Sequence, residues 1–342
     1  MPPTLRYSQF PFTPMSSATS PAPSLDPLRI GILGAGQMGA AAAVLFRRAG
    51  HEVTLWARNE AKHTQIRETT DATEAFLNQH FGPAPHSGGT LTLESRLAQV
   101  DETSDAILEC VAEEMDQKTA LLSQLPHCRE RKALIMTCTS ALCVTDMARG
   151  SGLVGILVGA HFWNPPHLIP VVEVIPGEGT PETQVQRAMT LLQHAGKIAV
   201  RCADVPGFIG NRLQHAMWRE ALALVDAGVC TAQDVDRVVK WTFALRLPVL
   251  GPFENMDLVG LPLVQSIESY LFPHLAVDRE PARSLTTRVQ EGHTGMKAGQ
   301  GFYDWTQRDA AEVVALRDRQ VVQQLQFLKE QGALEDRPTT GA

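Results

Sequence analysis

His161 and Glu173 are the two residues whose types and spacing most readily support chemistry. His161 closes an apolar run in Gly159-Ala160-His161-Phe162-Trp163, an Asn164-Pro165-Pro166 turn follows, and Glu173 sits inside a second apolar run, Val171-Val172-Glu173-Val174-Ile175. Two apolar runs joined by a rigid turn predict neighbouring strands, with an imidazole set beside a carboxylate. Histidine titrates near neutrality, and a carboxylate on its second nitrogen fixes the tautomer and favours the imidazolium. Such a pair suits a general acid or base. Taken alone, it equally describes a histidine closing a buried strand beside an edge glutamate.

The elements that must position the pair begin near the N-terminus. Leu28 to Leu33 reads as a short apolar strand, Gly34-Ala35-Gly36-Gln37-Met38-Gly39 follows at once, and Ala40 to Ala49 runs as an alanine-rich helix closed by Gly50. Strand, glycine turn and helix in this order predict a dinucleotide cradle. Gly34 permits the tight turn, Gly36 removes a Cβ from the path of a pyrophosphate, Gly39 lets helix and strand approach, and the helix N-terminus meets the phosphate charge. The next strand, Glu52 to Arg58, should end in an acid for the adenosine ribose, but that place holds Ala57, then Arg58 and Asn59. A guanidinium there can bind a 2′-phosphate, so both NAD and NADP stay open.

With 342 residues, the chain calls for two domains. The expected organisation is a tail at residues 1–27 rich in Pro, Ser and Thr, a dinucleotide-binding domain at 28–203, a helical domain at 204–332 and a short tail at 333–342. The fold class is α/β, a Rossmann-type domain followed by an all-helical one. Asn59 to Gly89 reads as helix-like at first and then as a loop-rich excursion. Asp105 to Val111 and Lys132 to Thr139 are further buried strands, with a helix at Glu113 to Leu125 between them. Pro181 to Gly196 is the last helix of that domain and Lys197 to Cys202 its last strand. Pro206-Gly207 breaks the chain before a long helix to Asp226, and helices follow from Thr231, around Gly251 to Leu261, over 281–290 and over 309–331. Phe253, Leu258, Val259 and Leu261 are expected as core and subunit contacts.

A formal charge of −7 offers no basic face to a nucleic acid. No apolar run is long enough to span a membrane, and the N-terminal stretch lacks the apolar centre of a secretion signal. Six cysteines without a Cys-x-x-Cys pair read as reduced thiols rather than disulfides or a metal site, and the cytoplasm is the expected compartment.

From Leu28 to Asp304 the sequence resembles the L-3-hydroxyacyl-CoA dehydrogenase family, with its λ-crystallin, gulonate and carnitine dehydrogenase relatives. The resemblance rests on the glycine turn, Cys138-Thr139-Ser140-Ala141-Leu142, His161-Phe162-Trp163-Asn164-Pro165, Val172-Glu173-Val174, Asp204-Val205-Pro206-Gly207-Phe208-Ile209-Gly210-Asn211-Arg212-Leu213 and Gly299-Gln300-Gly301-Phe302-Tyr303-Asp304. It implies that His161 is the catalytic base, that Glu173 holds and polarises it, and that Ser140 and Asn211 hydrogen-bond the substrate oxygen. Glu113 and Lys118 match positions that touch the nicotinamide half of the cofactor, and the glycine turn with Gln37 and Met38 matches its phosphate site. The family asparagine before Thr139-Ser140 is Cys138 here.

The implied reaction interconverts 3-hydroxy and 3-oxo acyl substrates with NAD or NADP, most commonly as CoA thioesters, in a homodimer closed by the helical half. Two features favour a free acid such as gulonate or carnitine instead. After Lys62, His63 and Arg67, the excursion where acyl-CoA members carry a basic arm is acidic and broken by Gly and Pro, and Asn164-Pro165-Pro166 resembles the gulonate and carnitine branch. A retired, crystallin-like structural protein is the alternative from outside enzymology.

Overall fold

The computed structural model of the chain describes residues 25–332. The expected tails fall outside these residues, except for 25–27, where Leu25 packs against the core. The chain divides into two compact units between Asn211 and Arg212, later than the expected boundary at residue 203. The segment after residue 203 is tied to the first unit: Asp204 accepts the N–H groups of Val144 and Thr145 at 3.1 and 2.7 Å, and Glu173 accepts those of Ile209 and Gly210.

The first unit runs β1 (Arg29–Leu33), α1 (Gln37–Arg48), β2 (Glu52–Trp56), α2 (His63–Phe81), β3 (Thr90–Glu94), α3 (Leu97–Thr103), β4 (Ala106–Glu109), α4 (Met115–Leu122), α5 (Pro126–Glu130), β5 (Leu134–Thr137), α6 (Val144–Ser151), β6 (Leu157–Phe162), β7 (Val171–Pro176), α7 (Glu182–His194) and β8 (Ile198–Arg201). The eight strands form one sheet in the order β3-β2-β1-β4-β5-β6-β7-β8. Every neighbouring pair is parallel except β6 and β7. Helices cover both faces, so the central strands bury every position rather than alternate: β4, β5 and β6 have no exposed residue. α1 can lie close to β1 because Gly39 has no side chain; a Cβ there would stand 1.9 Å from the Gly34 carbonyl oxygen.

The expected helical start and later break of the excursion at residues 59–89 are both present, the break falling at Gly82. Its helix continues to Phe81, because Ile66, Thr70 and Leu77 form a buried stripe. Arg48 then staples the helix end through Glu74, Asn78 and the Gly82 carbonyl. Only residues 82–89 are irregular before β3, a Thr-Leu-Thr-Leu alternation that pairs in parallel with β2.

The second unit is helical: α8 (Gly210–Asp226, whose first two residues belong to the first unit), α9 (Ala232–Trp241), α10 (Pro252–Val259), α11 (Leu261–Leu271), α12 (Arg283–Gln290) and α13 (Ala310–Glu330). Thr231 and Asp234 close a reciprocal capping box at the start of α9. Polar ties hold the unit, among them Tyr303 Oη donating to Asp236 at 2.6 Å and the Ala276 N–H donating to Glu220 at 2.7 Å. No residue of α8 to α12 is buried. Of the core and subunit contacts expected at Phe253, Leu258, Val259 and Leu261, the core part is corrected, since these are 80%, 71%, 46% and 57% exposed in the single chain.

Candidate active site

The only antiparallel step in the sheet brings His161 and Glu173 together. Turning back after residue 162 makes β7 the register partner of β6 and sets His161 directly opposite Glu173. His161 Nδ1 lies 2.7 Å from Glu173 Oε2, and both residues are 3% exposed. The other carboxylate oxygen, Oε1, accepts the N–H groups of Ile209 and Gly210 at 2.8 and 3.0 Å, where α8 begins. Burial pushes the Glu173 carboxyl up, but the His161 hydrogen bond and the two backbone donors outweigh it and hold the group below its ordinary range. An ionised carboxylate can only accept, so His161 carries its proton on Nδ1 and leaves Nε2 as the basic nitrogen. Trp163 and Phe208 flank the ring at 5.1 and 5.6 Å between centroids. The turn delivering those donors is strained: Phe208, a non-glycine residue, has φ 49°. Gly210 cannot carry a side chain, since a Cβ would stand 2.2 Å from Trp163 Cζ2.

Around this pair the strand ends assemble a second polar cluster. Glu113 Oε1 accepts from Thr139 Oγ1 at 2.6 Å and from the N–H groups of Ser140 and Ala141 at 2.7 and 3.1 Å. Asn211 Nδ2 donates to the Ser140 carbonyl at 2.7 Å, so Ser140, exposed itself, is held from both sides. Lys118 is fully enclosed. Its ammonium lies 2.9 and 3.1 Å from the two oxygens of Glu109, 3.3 Å from the Val111 carbonyl and 3.5 Å from Glu113. Burial pushes Lys118 down, and Glu109 with Glu113 more than restores it, so it stays charged. Burial raises Glu113, but Thr139, Ser140 and Lys118 prevail and keep it ionised. Glu113 is 39% exposed and Lys118 is not exposed at all, so of the two it is Glu113 that presents atoms to a ligand.

The glycine turn fits a dinucleotide. Gly36 precedes α1 as its N-cap without a side-chain hydrogen bond, and the first turn carries no acid, so no side chain there offsets the positive end of the helix. A Cβ on Gly36 would meet nothing within 4 Å; unlike Gly39, it is not glycine for the protein's own packing. Gln37 is exposed and Met38 half-buried beside it. Arg58 is exposed just beyond β2, while Asn59 spends its side chain capping the N–H of Ala61 at 3.1 Å.

Several contributors were not singled out from sequence. Glu109, fully buried, accepts from Lys118, Thr137 and the Val111 N–H. An acid in the middle of an apolar strand was its signal. Thr139, Phe208 and Ile209 lie within motifs recognised for their neighbours. Lys197, also buried, donates to the carbonyls of Pro166 and Ile169 at 2.5 and 2.9 Å and pins the segment between β6 and β7. Burial pushes it down to about 7.

A dinucleotide cradle at the head of a parallel sheet, with a histidine–carboxylate pair on the same unit, defines a nicotinamide-dependent dehydrogenase. Residues 29–205 match the NAD binding domain of 3-hydroxyacyl-CoA dehydrogenase and residues 207–305 its C-terminal domain. The chain belongs to the 3-hydroxyacyl-CoA dehydrogenase family and is an oxidoreductase of that type. It is 30% identical to an L-carnitine dehydrogenase of Streptomyces coelicolor over 90% of this chain and 97% of the relative. It is 31% identical to a 3-hydroxybutyryl-CoA dehydrogenase of Mycobacterium tuberculosis over 81% and 98%. The crystal structure of 5-formyl-3-hydroxy-2-methylpyridine 4-carboxylic acid 5-dehydrogenase, described as an NAD+-dependent dismutase, superposes with a TM-score of 0.84 at 28% identity, covering 89% of this chain and 99% of that one.

Proposed function

We propose that the protein interconverts a 3-hydroxy and a 3-oxo acyl substrate, with His161 as the general base. The observation that carries this reading is the 2.7 Å His161–Glu173 bond, with Glu173 held in turn by the first N–H groups of α8. Oxidising a secondary alcohol removes a hydroxyl proton as hydride leaves the same carbon, and bound NAD supplies the hydride acceptor. His161 Nε2 takes the proton, and Glu173 keeps the imidazole in that tautomer and stabilises its charge. Asn211, fixed on the Ser140 carbonyl, keeps a second amide hydrogen for the substrate oxygen, and Ser140 Oγ is the other donor. Glu113, with Lys118 behind it, faces the nicotinamide half, while Gly34, Gly36, Gln37, Met38 and Gly39 receive the pyrophosphate.

A CoA thioester of fatty acid metabolism is the leading carrier, as in the 3-hydroxybutyryl-CoA dehydrogenases among the relatives. A free hydroxy acid is the second reading, favoured by α2: its Arg67 is accompanied by Glu68 and Asp71, a poor grip for the phosphates of CoA. A turnover panel of 3-hydroxybutyryl-CoA, 3-hydroxybutyrate, gulonate and carnitine with NAD decides. Turnover of the thioester alone supports the first reading, turnover of an acid alone the second, and no turnover of any overturns both.

NAD is the cofactor the family domain binds, and Arg58 gives the 2′-phosphate of NADP a cation to meet. A large NAD preference in KM removes that role from Arg58. We further infer a homodimer, because α8 to α12 present Trp241, Phe253, Leu258 and Tyr270 more than two-thirds exposed, more apolar surface than a lone chain ordinarily leaves in water. A monomer mass in gel filtration would contradict it. Among the described residues no helix is long and apolar enough to cross a membrane. With six free thiols, the cytoplasm is the proposed compartment.

A further inference from the structure

Two cysteines that the reaction does not use lie side by side on the floor of the proposed cofactor site. β4 and β5 pair in parallel with Glu109 opposite Thr137, so the next rung sets Cys110 opposite Cys138. The sheet continues through that rung: the Cys138 N–H donates to the Glu109 carbonyl at 2.7 Å and the Cys110 N–H to the Leu33 carbonyl at 2.8 Å. Side chains on one rung of a parallel pair leave the same face, with strands about 4.8 Å apart, inside the Cα separation of roughly 4.4–6.8 Å that a disulfide spans. The two thiols are close enough to shift each other, and the Phe162 N–H also acts on the Cys138 sulfur. Cys110, then the Phe162 N–H and the Lys118 charge, overcome burial and lower Cys138, whereas Cys110 is raised by Cys138 and by burial. One thiol is thus the nucleophile and the other its resolving partner.

The other cysteines are placed differently. Cys128 is buried against the carbonyls of Asp101 and Ser104, and Cys143 donates to Asp204. Cys110 and Cys138 are partly exposed, as are Cys143 and Cys230, but only Cys110 and Cys138 share a rung of the sheet. Cys110 lies against the glycine turn: a Cβ on Gly39 would be 3.3 Å from Cys110 Cβ, and one on Gly34 would be 2.9 Å from the Cys110 carbonyl oxygen. Cys138 directly precedes Thr139 and Ser140, and its Phe162 donor directly follows His161.

We propose that Cys110 and Cys138 form a hydroperoxide-reactive dithiol whose oxidation to a disulfide deforms the cofactor site. The Cys138 thiolate attacks one peroxide oxygen, the O–O bond breaks, and after protonation a sulfenic acid and one water result. Cys110 sulfur then attacks the sulfenic sulfur, the S–O bond breaks, the Cys110 proton leaves with the hydroxide as a second water, and the S–S bond forms. The thiols are oxidised and the peroxide reduced, two thiols and one peroxide giving one disulfide and two waters. Because β4 lies between β1 and β5, drawing the ends of β4 and β5 together pulls Cys110 away from Gly34 and Gly39, which pack against it, and removes the support of the turn where the pyrophosphate is expected. This consequence rests on the reading of that turn as the cofactor site; the thiol chemistry is read separately by mass.

The full chain, freed of nucleotide, is treated with hydrogen peroxide and followed by intact mass, non-reducing peptide mapping and NADH fluorescence titration. The expected result is a loss of two hydrogens, a Cys110–Cys138 cross-linked peptide, at least tenfold weaker NADH binding and full recovery with dithiothreitol. Prior saturation with NADH should slow the cross-link at least tenfold, and Cys110→Ser should instead leave a dimedone-trappable sulfenic acid on Cys138. Over-oxidation of Cys138 in the wild-type chain without a cross-link, or a cross-link that leaves NADH binding unchanged, overturns the proposal. The mass readouts do not depend on substrate, so a chain inactive on every hydroxy acid tested still answers the question.

Discussion

Two buried carboxylates on neighbouring parts of one sheet, Glu173 on β7 and Glu109 on β4, each hold an ionisable partner and do opposite things with it. Glu109 surrounds Lys118 completely: the ammonium has both carboxylate oxygens, a backbone carbonyl and Glu113 around it and no exposure. Glu173 engages only one nitrogen of His161 and uses its other oxygen on backbone donors. The lysine is a closed charge, satisfied on every side; the histidine is left with one nitrogen unspent. Burial and pairing are common to both, so neither marks chemistry. What distinguishes the pair proposed to react is the hydrogen-bonding position that its neighbours leave open.

Substitutions at the two sites should therefore separate activity from stability. The largest effect is expected from His161→Gln. Removing a general base typically costs about 10²–10⁴-fold, and kcat should fall in that range at pH 7 while the thermal midpoint and NADH affinity hold. A loss under tenfold breaks the assignment. Lys118→Met should do the reverse at first: one partner of a buried pair is removed, Glu109 is left uncompensated, and about 3–5 kcal/mol of stability is lost. Urea unfolding of the variant measures it, and an unchanged midpoint would mean that Lys118 is not the closed charge described. Between these lies Gly210→Ala. Its methyl would collide with Trp163, so about 1–3 kcal/mol of overpacking strain is expected, with a fall in kcat because the Gly210 N–H that braces Glu173 moves.

Much of this contrast was legible before any coordinates. Apolar runs around His161 and Glu173 joined by Asn164-Pro165-Pro166 announced adjacent strands, and their antiparallel pairing made the two residues register partners. The glycine turn was equally plain, because each glycine answers a separate steric demand. The Glu109–Lys118 pair was hidden, since nine residues of sequence separate its members and the contact exists only once α4 folds back beside β4. β3 was obscured by Thr90 and Thr92, which alternate on an edge strand where no residue is fully buried. The helical unit misled in another way: Phe253 and Leu258 are apolar and periodic, and periodicity reports an apolar face without saying whether this chain or another covers it.

His51 supplies a control for the comparison, a buried ionisable group with no carboxylate at all. It is fully buried, its Nδ1 accepts the Leu28 N–H at 3.1 Å, and its Nε2 faces His194 Nδ1 at 3.2 Å, with His86 stacked beyond. Burial first, then His194 and His86, push it from the ordinary 6.5 down to about 4. The folded chain therefore resists a proton that the unfolded chain accepts. Above pH 6.5 neither state is protonated there and stability is whole. As the pH falls from 6.5 towards 4 the unfolded state gains protons first and stability drops, by about 1.36 kcal/mol per pH unit. At pH 5.5 the loss from this group is about 1 kcal/mol, the smallest effect considered. Carboxylates such as Glu173, also held below their ordinary range, lose stability in the same direction at lower pH, so the informative quantity is a difference. Urea midpoints of wild type and His51→Gln, followed by fluorescence of Trp56 and Trp163 at pH 7.5 and pH 5.5, should converge by about 1 kcal/mol at the lower pH. Parallel losses in both proteins would mean that His51 titrates normally, and that burial without a partner does not suppress a charge in this sheet.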